Sequence, residues 1–474
     1  MAKIGLLFTF VITVVISYNI HNEYYPDGLS QPLLMKTSLF VAKLLDDVLW
    51  CLDYVGVVDL VRSKRMASEL LCKTLVQTEP DIQTEDVTIE GIPVRIFKPR
   101  DHTDTDLKLP GMIYYHGGGW TVGSIDTHHP VTVYFAREVK MVVISVGWFQ
   151  SCAIFAVFAG GGCSCRSLGC FHLISRIGQP NSCNNDLVGV LEQAIRALLW
   201  MSSGLSFILF LALCCCETSY RLNPEHSQKD GLEDCVKVTK HVIEMADQYG
   251  IDPERVVVAG DSAGGTYAAA VSLVLRDEQF RPMPKVQMLI YPLIQAIDFN
   301  LPSYQQNTKG PLLVPSEVFW FLSQVHAKNN DYIPYLRTNT HIPGHVRQHY
   351  AKDLLNHDKA IPQENHYSPY VLPNYGSGDS DIWDEIKDQL LDPYHYPLMA
   401  KHHKGLPDAY IFTGQYDALR DEGFLYARVL HNAGVSVTHY NSPVGWHGMI
   451  NFVYINRDSV IVMKTMCDFL REKL

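Results

Sequence analysis

The sequence predicts an α/β protein built on a mostly parallel central sheet, and three observations support that prediction. A β-branched run at 255–259 leads through the pentapeptide at 260–264 into an alanine-rich helical stretch. A second strand-like run, 111–115, is followed by a histidine and three consecutive glycines. Two further apolar strands, 409–412 and 435–440, are each followed by a loop that carries polar residues. Strands that alternate with helical segments are typical of parallel sheets, whose carboxyl ends meet at one edge.

The first element of the chain is an apolar segment near the N-terminus. Its 15 residues at 4–18 carry no charge, Lys3 is the only early cation, and Glu23 and Asp27 follow. The run is shorter than the roughly 20 residues that usually span a bilayer, but two more residues extend it to position 20. We therefore expect a membrane anchor at 1–20, with the N-terminus in the cytosol, where positive charge is favoured. A cleaved signal peptide is the alternative, although no cleavage site is evident.

The segment after the anchor predicts helices and then a hairpin. Apolar residues recur at helical spacing within 30–90, most clearly at 39–49. The stretch 82–99 alternates between apolar and polar residues and contains Gly91 near its centre. This pattern predicts the antiparallel hairpin that opens the sheet.

The pentapeptide Gly260-Asp261-Ser262-Ala263-Gly264 predicts a nucleophile. A strand, Gly-x-Ser-x-Gly and a helix form a turn so sharp that the serine is strained and its hydroxyl is exposed at the sheet edge. Glycines flank the serine because a Cβ there would clash with the neighbouring strand or helix. An ordinary glycine- and serine-rich turn is the alternative, and the remaining motifs argue against it.

The motif His-Gly-Gly-Gly-Trp at 116–120 predicts an oxyanion hole, to which we assign His116, Gly117 and Gly118 of the motif together with Ala263. Acyl transfer needs N–H donors because the carbonyl oxygen becomes an oxyanion in the transition state. We expect the N–H groups of Gly117 and Gly118 to serve, joined by that of Ala263 after the nucleophile. A flexible glycine loop or a phosphate cradle is the alternative. A Walker loop would end in Gly-Lys-Ser/Thr, which is absent here.

Two downstream loops predict the partners of the serine. Asp417 and His447 each follow an apolar strand, so both fall at the sheet edge where Ser262 lies. His447 would take the serine proton, and Asp417 would orient the imidazole and stabilise its charged form. Asp421 and Glu422 are rival carboxylates. Asp417 is preferred because it comes first after the strand.

Taken together, these motifs resemble the hormone-sensitive-lipase branch of the α/β-hydrolases, and within it the arylacetamide deacetylase family. The resemblance rests on His-Gly-Gly-Gly-Trp at 116–120, Gly-Asp-Ser-Ala-Gly-Gly at 260–265, Tyr-Asp-Ala-Leu-Arg-Asp-Glu-Gly at 416–423 and Trp-His-Gly at 446–448. Secondary signatures are Tyr-Arg-Leu-Asn-Pro-Glu-His at 220–226, Leu-Ile-Tyr-Pro at 289–292 and Asp-Phe-Asn-Leu-Pro-Ser-Tyr-Gln at 298–305.

This resemblance implies an α/β-hydrolase fold with a helical cap, formed by residues 21–80, over a catalytic domain at 81–474. It implies a serine hydrolase that cleaves carboxylic esters, with arylacetamides and lipid esters among the candidate substrates, and that uses no cofactor. It also implies a single-pass type II anchor in the endoplasmic reticulum membrane, with the catalytic domain in the lumen.

A segment of 72 residues, 147–218, interrupts the likeness. Its deletion would join the strand at 141–146 to the motif at 220–226 through one serine. The segment holds eight of the twelve cysteines and only six charged residues, none of them lysine. A retained intron or gene-model error would explain this foreign composition. A metal or disulfide module is an alternative, although the cysteines lack the paired spacing of zinc sites.

A genuine insertion is the third interpretation of 147–218, and a membrane hairpin is one form that it could take. Its uncharged run of 19 residues at 198–216 is long enough to be a span candidate. A single crossing there would separate the Gly117 loop from Ser262 across a bilayer. Either the run does not cross, or the chain is inactive.

Composition narrows the remaining classes. The 474 residues suffice for one large domain with a cap, and the net charge of −11 without a basic stripe argues against nucleic acid. His345 and His349 stand four apart, but no third ligand is evident, so no metal site is expected. A peptidase of the same fold would bring a large gating domain for which there is no room. Two rivals remain: a binding protein on a hydrolase scaffold, and a catalytically impaired splice or gene-model variant.

Overall fold

The computed structural model describes residues 25–26, 28–56, 58–73, 79–102, 108–147, 220–326, 330–365 and 378–474. The anchor predicted at 1–20 lies outside the described residues, and so does all of the segment 147–218 except Gly147. Within the described ranges, no helix is long and apolar enough to cross a membrane.

One eight-stranded mixed sheet organises the described chain. Its strands are β1 (Ile82–Ile89), β2 (Ile92–Pro99), β3 (Leu109–Tyr115), β4 (Val142–Val146), β5 (Ile251–Asp261), β6 (Val286–Ile290), β7 (Asp408–Tyr416) and β8 (Val437–Trp446). Their spatial order is β1-β2-β4-β3-β5-β6-β7-β8. The strand β2 pairs antiparallel with both of its neighbours, and all other pairs are parallel. The predicted mostly parallel sheet is therefore confirmed.

The predicted opening hairpin is confirmed as β1 and β2, which pair from Ile82 opposite Pro99 to Ile89 opposite Ile92. The two residues between them both have positive φ angles, 54° at Glu90 and 80° at Gly91. Such angles are those of a two-residue turn whose twist matches the strands on either side.

Strand β5 shows why helices must cover both faces of the sheet. Its residues from Val256 to Ala259 are fully buried. Because side chains alternate along a strand, Val256 and Val258 belong to one core, while Val257 and Ala259 belong to the other. A strand that is apolar on both sides is typical of a sheet with helices packed on each face.

The helices of the described chain precede the sheet, connect its parallel strands and follow its last strand. They are α1 (Pro32–Tyr54), α2 (Leu60–Lys73), α3 (His129–Val139), α4 (Gln228–Glu244), α5 (Ala246–Tyr249), α6 (Ala263–Asp277), α7 (Pro302–Gln306), α8 (Pro315–His326), α9 (Ile333–Thr338), α10 (Gly344–Ala351), α11 (His357–Ala360), α12 (Ser380–Leu390), α13 (Arg420–Asn432) and α14 (Arg457–Lys473), with 3₁₀ turns at Arg100–His102, Gln363–Asn365, Pro397–Met399 and Met449–Phe452. Helices α3 and α14 cover one face of the sheet, whereas α4, α6 and α13 cover the other.

A separate group of helices packs around a small core of its own. Residues Leu49 of α1, Leu60 and Val61 of α2, and Trp320 of α8 are buried together. The apolar spacing at 39–49 therefore does lie on a helix, as predicted. These three helices border the cavity that contains the candidate site.

Candidate active site

Ser262 occupies a strained turn between β5 and α6. Its φ of 54° and ψ of −122° are unfavourable for a residue with a Cβ, and its N–H donates to the carbonyl oxygen of Ile290 at 2.8 Å. Such backbone strain costs of order 1–3 kcal/mol and persists only where the surroundings hold it. A Cβ on Gly264 would lie 2.0 Å from the carbonyl oxygen of Tyr115, so only glycine lets the helix begin this close to β3. The turn has the geometry of the predicted nucleophile elbow.

The structure brings Ser262, His447 and Asp417 into one hydrogen-bonded line. The distance from His447 Nε2 to Ser262 Oγ is 2.9 Å, and that from His447 Nδ1 to Asp417 Oδ2 is also 2.9 Å. Since an ionised carboxylate can only accept, Nδ1 carries the proton and Nε2 is left to accept from the serine hydroxyl. Asp417 is fully buried, and its second oxygen accepts the N–H of Leu419 at 2.8 Å.

The two rival carboxylates bind elsewhere. Asp421 accepts the N–H of Ser303 at 2.6 Å and Nε of Arg420 at 2.8 Å. Glu422 accepts the hydroxyl of Tyr304 at 2.6 Å. Both are fully buried within α13. Among the three carboxylates weighed from the sequence, the one at His447 is therefore Asp417.

In the glycine loop after β3, one of the N–H groups predicted to bind the oxyanion is already hydrogen-bonded elsewhere. The N–H of Gly117 donates to Asp261 Oδ1 at 2.9 Å, so the expectation that it serves an oxyanion is wrong. The next two residues, Gly118 and Gly119, have φ angles of 123° and 57° and line the cavity, as does Ala263. Their N–H groups have no acceptor in the described part of the chain. The available set of donors is thus Gly118, Gly119 and Ala263.

His116 supports this loop from below and does not reach the cavity. Its Nδ1 lies 2.8 Å from the carbonyl oxygen of Gly117, and its own carbonyl oxygen accepts the hydroxyl of Tyr220 at 2.8 Å. Its ring also stacks on that tyrosine at 4.4 Å between centroids. Burial lowers the pKa of His116 to about 3, so the ring is neutral. The assignment of His116 to the oxyanion hole is therefore corrected to a position beneath it.

Asp261 joins the loop to the nucleophile beside it. Its buried carboxylate accepts the hydroxyl of Tyr114 at 2.7 Å and the N–H of Gly117, and it lies 3.2 Å from His128 Nε2. Burial alone raises the pKa of Asp261, but the charge and hydrogen bond of His128 and the bond from Tyr114 lower it overall. An ionised carboxylate therefore holds the loop in register with Ser262.

Arg65 fastens helix α2 to the same loop. Its Nε donates to the carbonyl oxygen of Thr121 at 2.7 Å, and one terminal nitrogen donates to the carbonyl oxygen of Asn223 at 2.8 Å. The guanidinium also pairs with both carboxylate oxygens of Glu225, at 2.8 and 3.3 Å. Hydrogen bonds to charged groups stabilise by about 1.5–3 kcal/mol each. A single side chain thus ties a bordering helix, the glycine loop and the segment after residue 219 together.

A cavity of about 1010 Å³ opens in front of Ser262. Its wall includes Trp50 of α1 together with Trp320 and Phe321 of α8. The ammonium group of Lys64 lies 4.6 Å from the ring centre of Trp320, at a distance favourable for a cation–π contact. Aromatic walls of this kind suit flat or extended apolar groups.

Glu317 places one carboxyl group in this wall. One of its oxygens accepts the N–H of Val314 at 2.9 Å at the start of α8. Burial raises the pKa of Glu317 to about 7, although Lys64 and His447 act in the opposite direction.

No group of three or more metal-ligating side chains lies together among the described residues.

Gly147 and Tyr220, the last described residue before the gap at 148–219 and the first one after it, lie beside His116. Gly147 closes β4, and a Cβ on it would lie 3.5 Å from the backbone nitrogen of Tyr220 and 3.3 Å from the ring of His116. The described chain therefore ends before the gap and resumes after it at almost the same point. As predicted, this point is the carboxyl end of a central strand, because β4 lies between β2 and β3.

Comparison with known proteins places the chain in a family. A family profile described as the alpha/beta hydrolase fold matches residues 112–152, 211–347 and 351–451, which is more than half of the chain. The chain belongs to this family. The profile passes over 153–210, which lie inside the segment predicted to be foreign.

Curated relatives of this α/β hydrolase include several arylacetamide deacetylases. Arylacetamide deacetylase-like 3 of Mus musculus is 27% identical over 441 residues, covering 92% of this chain and 88% of the relative. Arylacetamide deacetylase of Oryctolagus cuniculus is 27% identical over 453 residues and covers 93% of each chain. Neutral cholesterol ester hydrolase 1 of Rattus norvegicus is 28% identical over 390 residues, covering 80% and 77%. The predicted resemblance is confirmed.

Solved structures show the same fold. An esterase of the hyperthermophilic archaeon Pyrobaculum calidifontis superposes with a TM-score of 0.55 at 24% identity, covering 90% of this α/β hydrolase and 97% of that chain. The metagenomic carboxylesterase EstE1 gives 0.54 at 22% identity, covering 88% and 96%. At these identities the likeness concerns the architecture.

Four residues of the site were not found from the sequence. Gly119 lies within the predicted motif, but three identical glycines give no sign of which N–H groups are free. Asp261 occupies the first x of Gly-x-Ser-x-Gly, a position that the motif leaves open. A charged residue next to the nucleophile could have indicated that it binds a neighbouring loop. Tyr114 and Arg65 act through partners more than fifty residues away along the chain, and no local pattern marks them.

Proposed function

We propose that this α/β hydrolase cleaves carboxylic esters through an acyl-enzyme on Ser262. The observation that carries the proposal is the line from Ser262 through His447 to Asp417, with two distances of 2.9 Å, at the base of a cavity. The names of the relatives, which include deacetylases and a cholesterol ester hydrolase, support the same reaction class.

Acylation follows from the direction of these hydrogen bonds. Nε2 of His447 accepts the proton of Ser262 Oγ as the oxygen attacks the ester carbonyl carbon. Asp417 keeps Nδ1 protonated and stabilises the imidazolium that forms. The carbonyl oxygen gains charge and accepts hydrogen bonds from Gly118, Gly119 and Ala263. When the intermediate collapses, the imidazolium gives its proton to the leaving alcohol and the acyl group remains on Oγ.

Deacylation reverses the roles of the same groups. A water molecule takes the place of the alcohol, and Nε2 of His447 accepts its proton as it attacks the acyl carbon. The carboxylic acid leaves, and Ser262 regains its hydrogen. The cycle uses protein groups and water, and no step of it calls for a cofactor.

The cavity indicates an apolar small-molecule or lipid ester as the substrate. Its volume of about 1010 Å³ exceeds what a short ester fills, and Trp50, Trp320 and Phe321 offer apolar contact. An arylacetamide would fit the same aromatic wall, so amide hydrolysis is a second candidate activity. Pocket contacts decide between such substrates by about 1–3 kcal/mol per methylene.

The apolar run at 4–18 supports attachment to a membrane in the type II orientation. Lys3 precedes the run and acidic residues follow it, which favours a cytosolic N-terminus. With the family resemblance, this points to the endoplasmic reticulum membrane and a lumenal catalytic domain. Resistance to carbonate extraction, with the N-terminus intact, tests the proposal. Release by carbonate of a chain that begins near residue 20–25 would reject it.

A fluorophosphonate probe tests the proposed nucleophile. The probe should label the full chain covalently, and Ser262→Ala should abolish labelling. Ser316 lies in the wall of the same cavity, so Ser316→Ala is the matched control and should label as the wild type does. Labelling that persists in Ser262→Ala would overturn the assignment. A folded wild-type chain that neither labels nor cleaves a p-nitrophenyl ester would favour a binding protein or an impaired variant.

A further inference from the structure

Helix α1 is apolar on its outward face as well as on its inward face. Met35, Leu39 and Leu49 are buried against the rest of the molecule. The outward face carries a second apolar row, the outer stripe, which consists of Leu33 (58% exposed), Leu44 (42%), Val48 (43%) and the exposed Cys51, and which continues to Val55 (65%) at the C-cap of the helix. At 3.6 residues per turn these five positions fall within an arc of about 60°.

An exposed apolar row of this kind is expected to bind another apolar surface. A helix that is apolar all round is normally buried, and an outward row next to an inward one leaves apolar surface in water. The outer stripe presents five side chains, whereas a stable protein interface uses about 20–30 residues on each side. A second copy of the chain is therefore a poor match, because the row is too narrow to hold it.

A bilayer surface matches the dimensions and chemistry of the row. Amphipathic helices lie in the headgroup region with a narrow apolar face buried by about 5–10 Å. Lys36, Lys43 and Asp47 follow one border of the outer stripe at helical spacing and leave its centre free of charge. Lysines in such positions keep their ammonium groups in water while their stems lie on apolar surface.

Two aspects of the position of α1 also favour a bilayer surface: its place in the sequence and its place beside the cavity. Thirteen residues, 19–31, separate the uncharged run at 4–18 from Pro32, and 13 residues reach at most about 45 Å. The inward side of the same helix lines the cavity with Leu39, Ala42 and Leu45. The helix therefore separates the cavity from whatever covers the outer stripe by no more than its own diameter.

We propose that the outer stripe of α1 docks on the surface of a lipid bilayer, so that α1 lies in the interface with the cavity directly behind it. Docking is independent of the reaction. Its consequence, that apolar esters enter the cavity from the bilayer, rests on the proposed function.

A photoreactive lipid tests the docking directly. The full chain is reconstituted at one copy per nanodisc in phosphatidylcholine that carries a diazirine in its acyl chain, and the crosslinks are mapped by mass spectrometry. Crosslinks are expected on Leu44, Val48 and Cys51, and Leu44→Glu/Val48→Glu should lower their yield at least about fivefold. Val460 and Ile461 of α14 are exposed apolar residues elsewhere, so Val460→Glu/Ile461→Glu is the matched control and should leave the yield unchanged.

Two results would overturn the proposal. Absence of crosslinks on α1 would show that the outer stripe faces water. Crosslinks confined to Leu39, Ala42 and Leu45 would show a lipid inside the cavity and not a docked helix.

Activity separates this inference from the proposed function. Leu44→Glu/Val48→Glu should cleave a water-soluble p-nitrophenyl ester at the wild-type rate but a long-chain ester held in the nanodisc at least about fivefold more slowly. Equal rates on the nanodisc ester would overturn delivery from the bilayer. A wild type that cleaves neither ester would reject the proposed function, while the crosslinks would still decide whether the helix docks.

Discussion

Asp261 shows how one side chain fixes which backbone groups are free to react. It takes the N–H of Gly117, and the donors that face the cavity are therefore those of Gly118 and Gly119. The same carboxylate belongs to the residue before Ser262, so the nucleophile and the glycine loop are held at a set distance. A pairing between residues 144 positions apart thus decides the geometry of the oxyanion hole.

The structure predicts unequal effects for two neighbouring carboxylates. Asp417→Asn should lower kcat by about 10⁴ with little change in stability, since the amide would favour the wrong imidazole tautomer. Asp421 contacts Ser303 and Arg420 instead, so Asp421→Asn should act on thermal stability and leave most of kcat. Steady-state kinetics and thermal unfolding of both variants check this.

His447→Ala serves as the reference for loss of the base in that comparison, and it should lower kcat by several orders of magnitude. If Asp421→Asn reduces kcat more than Asp417→Asn does, the carboxylate has been assigned wrongly.

For single residues, the sequence was informative where a catalytic side chain comes directly after a strand. Asp417 and His447 each come directly after an apolar strand, and the parallel sheet brings those strand ends together. The choice among glycines could not be made in this way, because Gly117, Gly118 and Gly119 are chemically identical. Only the contact with a distant carboxylate distinguishes the first from the other two.

Helix α2 holds the glycine loop through Arg65. A substitution of Arg65 should therefore change the kinetics, although this residue does not line the cavity. Arg65→Gln should lower kcat about 10- to 100-fold and change KM less than about threefold, because a displaced oxyanion donor weakens the transition state and not the bound substrate. Arg62 is exposed on the same helix, so Arg62→Gln is the matched control.

The readout for Arg65 is the rate of fluorophosphonate labelling per folded molecule, measured together with kcat and KM. A purely structural role would lower the melting temperature while leaving folded molecules fully reactive. That outcome would remove Arg65 from the positioning of the loop.

Helix α13 carries a buried carboxylate that makes stability depend on pH. Burial raises the pKa of Glu422 from its ordinary value of 4.5 to about 7, although hydrogen bonds from Tyr304, Ile294 and Gln295 partly oppose this. Because the folded state holds this proton more tightly, its contribution is complete below about pH 4.5 and is lost as the pH rises through 7.

Glu422→Gln cannot titrate, and it should therefore be compared with the wild type across that window. Relative to Glu422→Gln, the unfolding free energy of the wild type should fall by on the order of 3 kcal/mol between pH 5 and pH 8, and its melting temperature should fall with it. Glu244 is exposed, so Glu244→Gln should show no such trend. A wild type that gains stability relative to Glu422→Gln between pH 5 and pH 8 would contradict the raised pKa.

The sequence predicted whether a segment is a helix or a strand where its apolar pattern was long, but it predicted the boundaries of these elements less well. The strand predicted at 255–259 extends over Ile251–Asp261, because Ile251 pairs with Leu109 beyond an irregularity in the ladder, and no apolar pattern marks the polar residues in between. The outward row of α1 was not anticipated, since apolar spacing alone does not tell which face of a helix is covered.

At the scale of the molecule, the segment at 147–218 is the main departure from the family. The profile of the family passes over most of it, and the described residues that flank the gap, Gly147 and Tyr220, lie beside His116. A variant lacking 147–218 would place Ser219 between Val146 and Tyr220, which the short gap allows. We expect that variant to be soluble and to hydrolyse a short p-nitrophenyl ester, with the full chain showing far lower specific activity or misfolding.

The physical reason for that prediction is the location of the junction. Tyr220 stacks on His116, which supports the glycine loop, and Gly147 lies beside the same ring. The segment itself adds eight cysteines and a long uncharged run. Exposed apolar surface of that length favours aggregation. Equal specific activity and equal melting temperatures of the two chains would show the segment to be a tolerated excursion.

The closeness of Gly147 to Tyr220 has a use beyond the native chain. A guest domain whose own termini lie a few ångströms apart could be spliced between these two residues without stretching the sheet. Because Tyr220 stacks on His116 and Gly147 lies beside the same ring, a guest that changes its end-to-end spacing when it binds a ligand would shift the glycine loop. The junction would then turn an unrelated chemical signal into a change in the rate at which a coloured ester is cleaved.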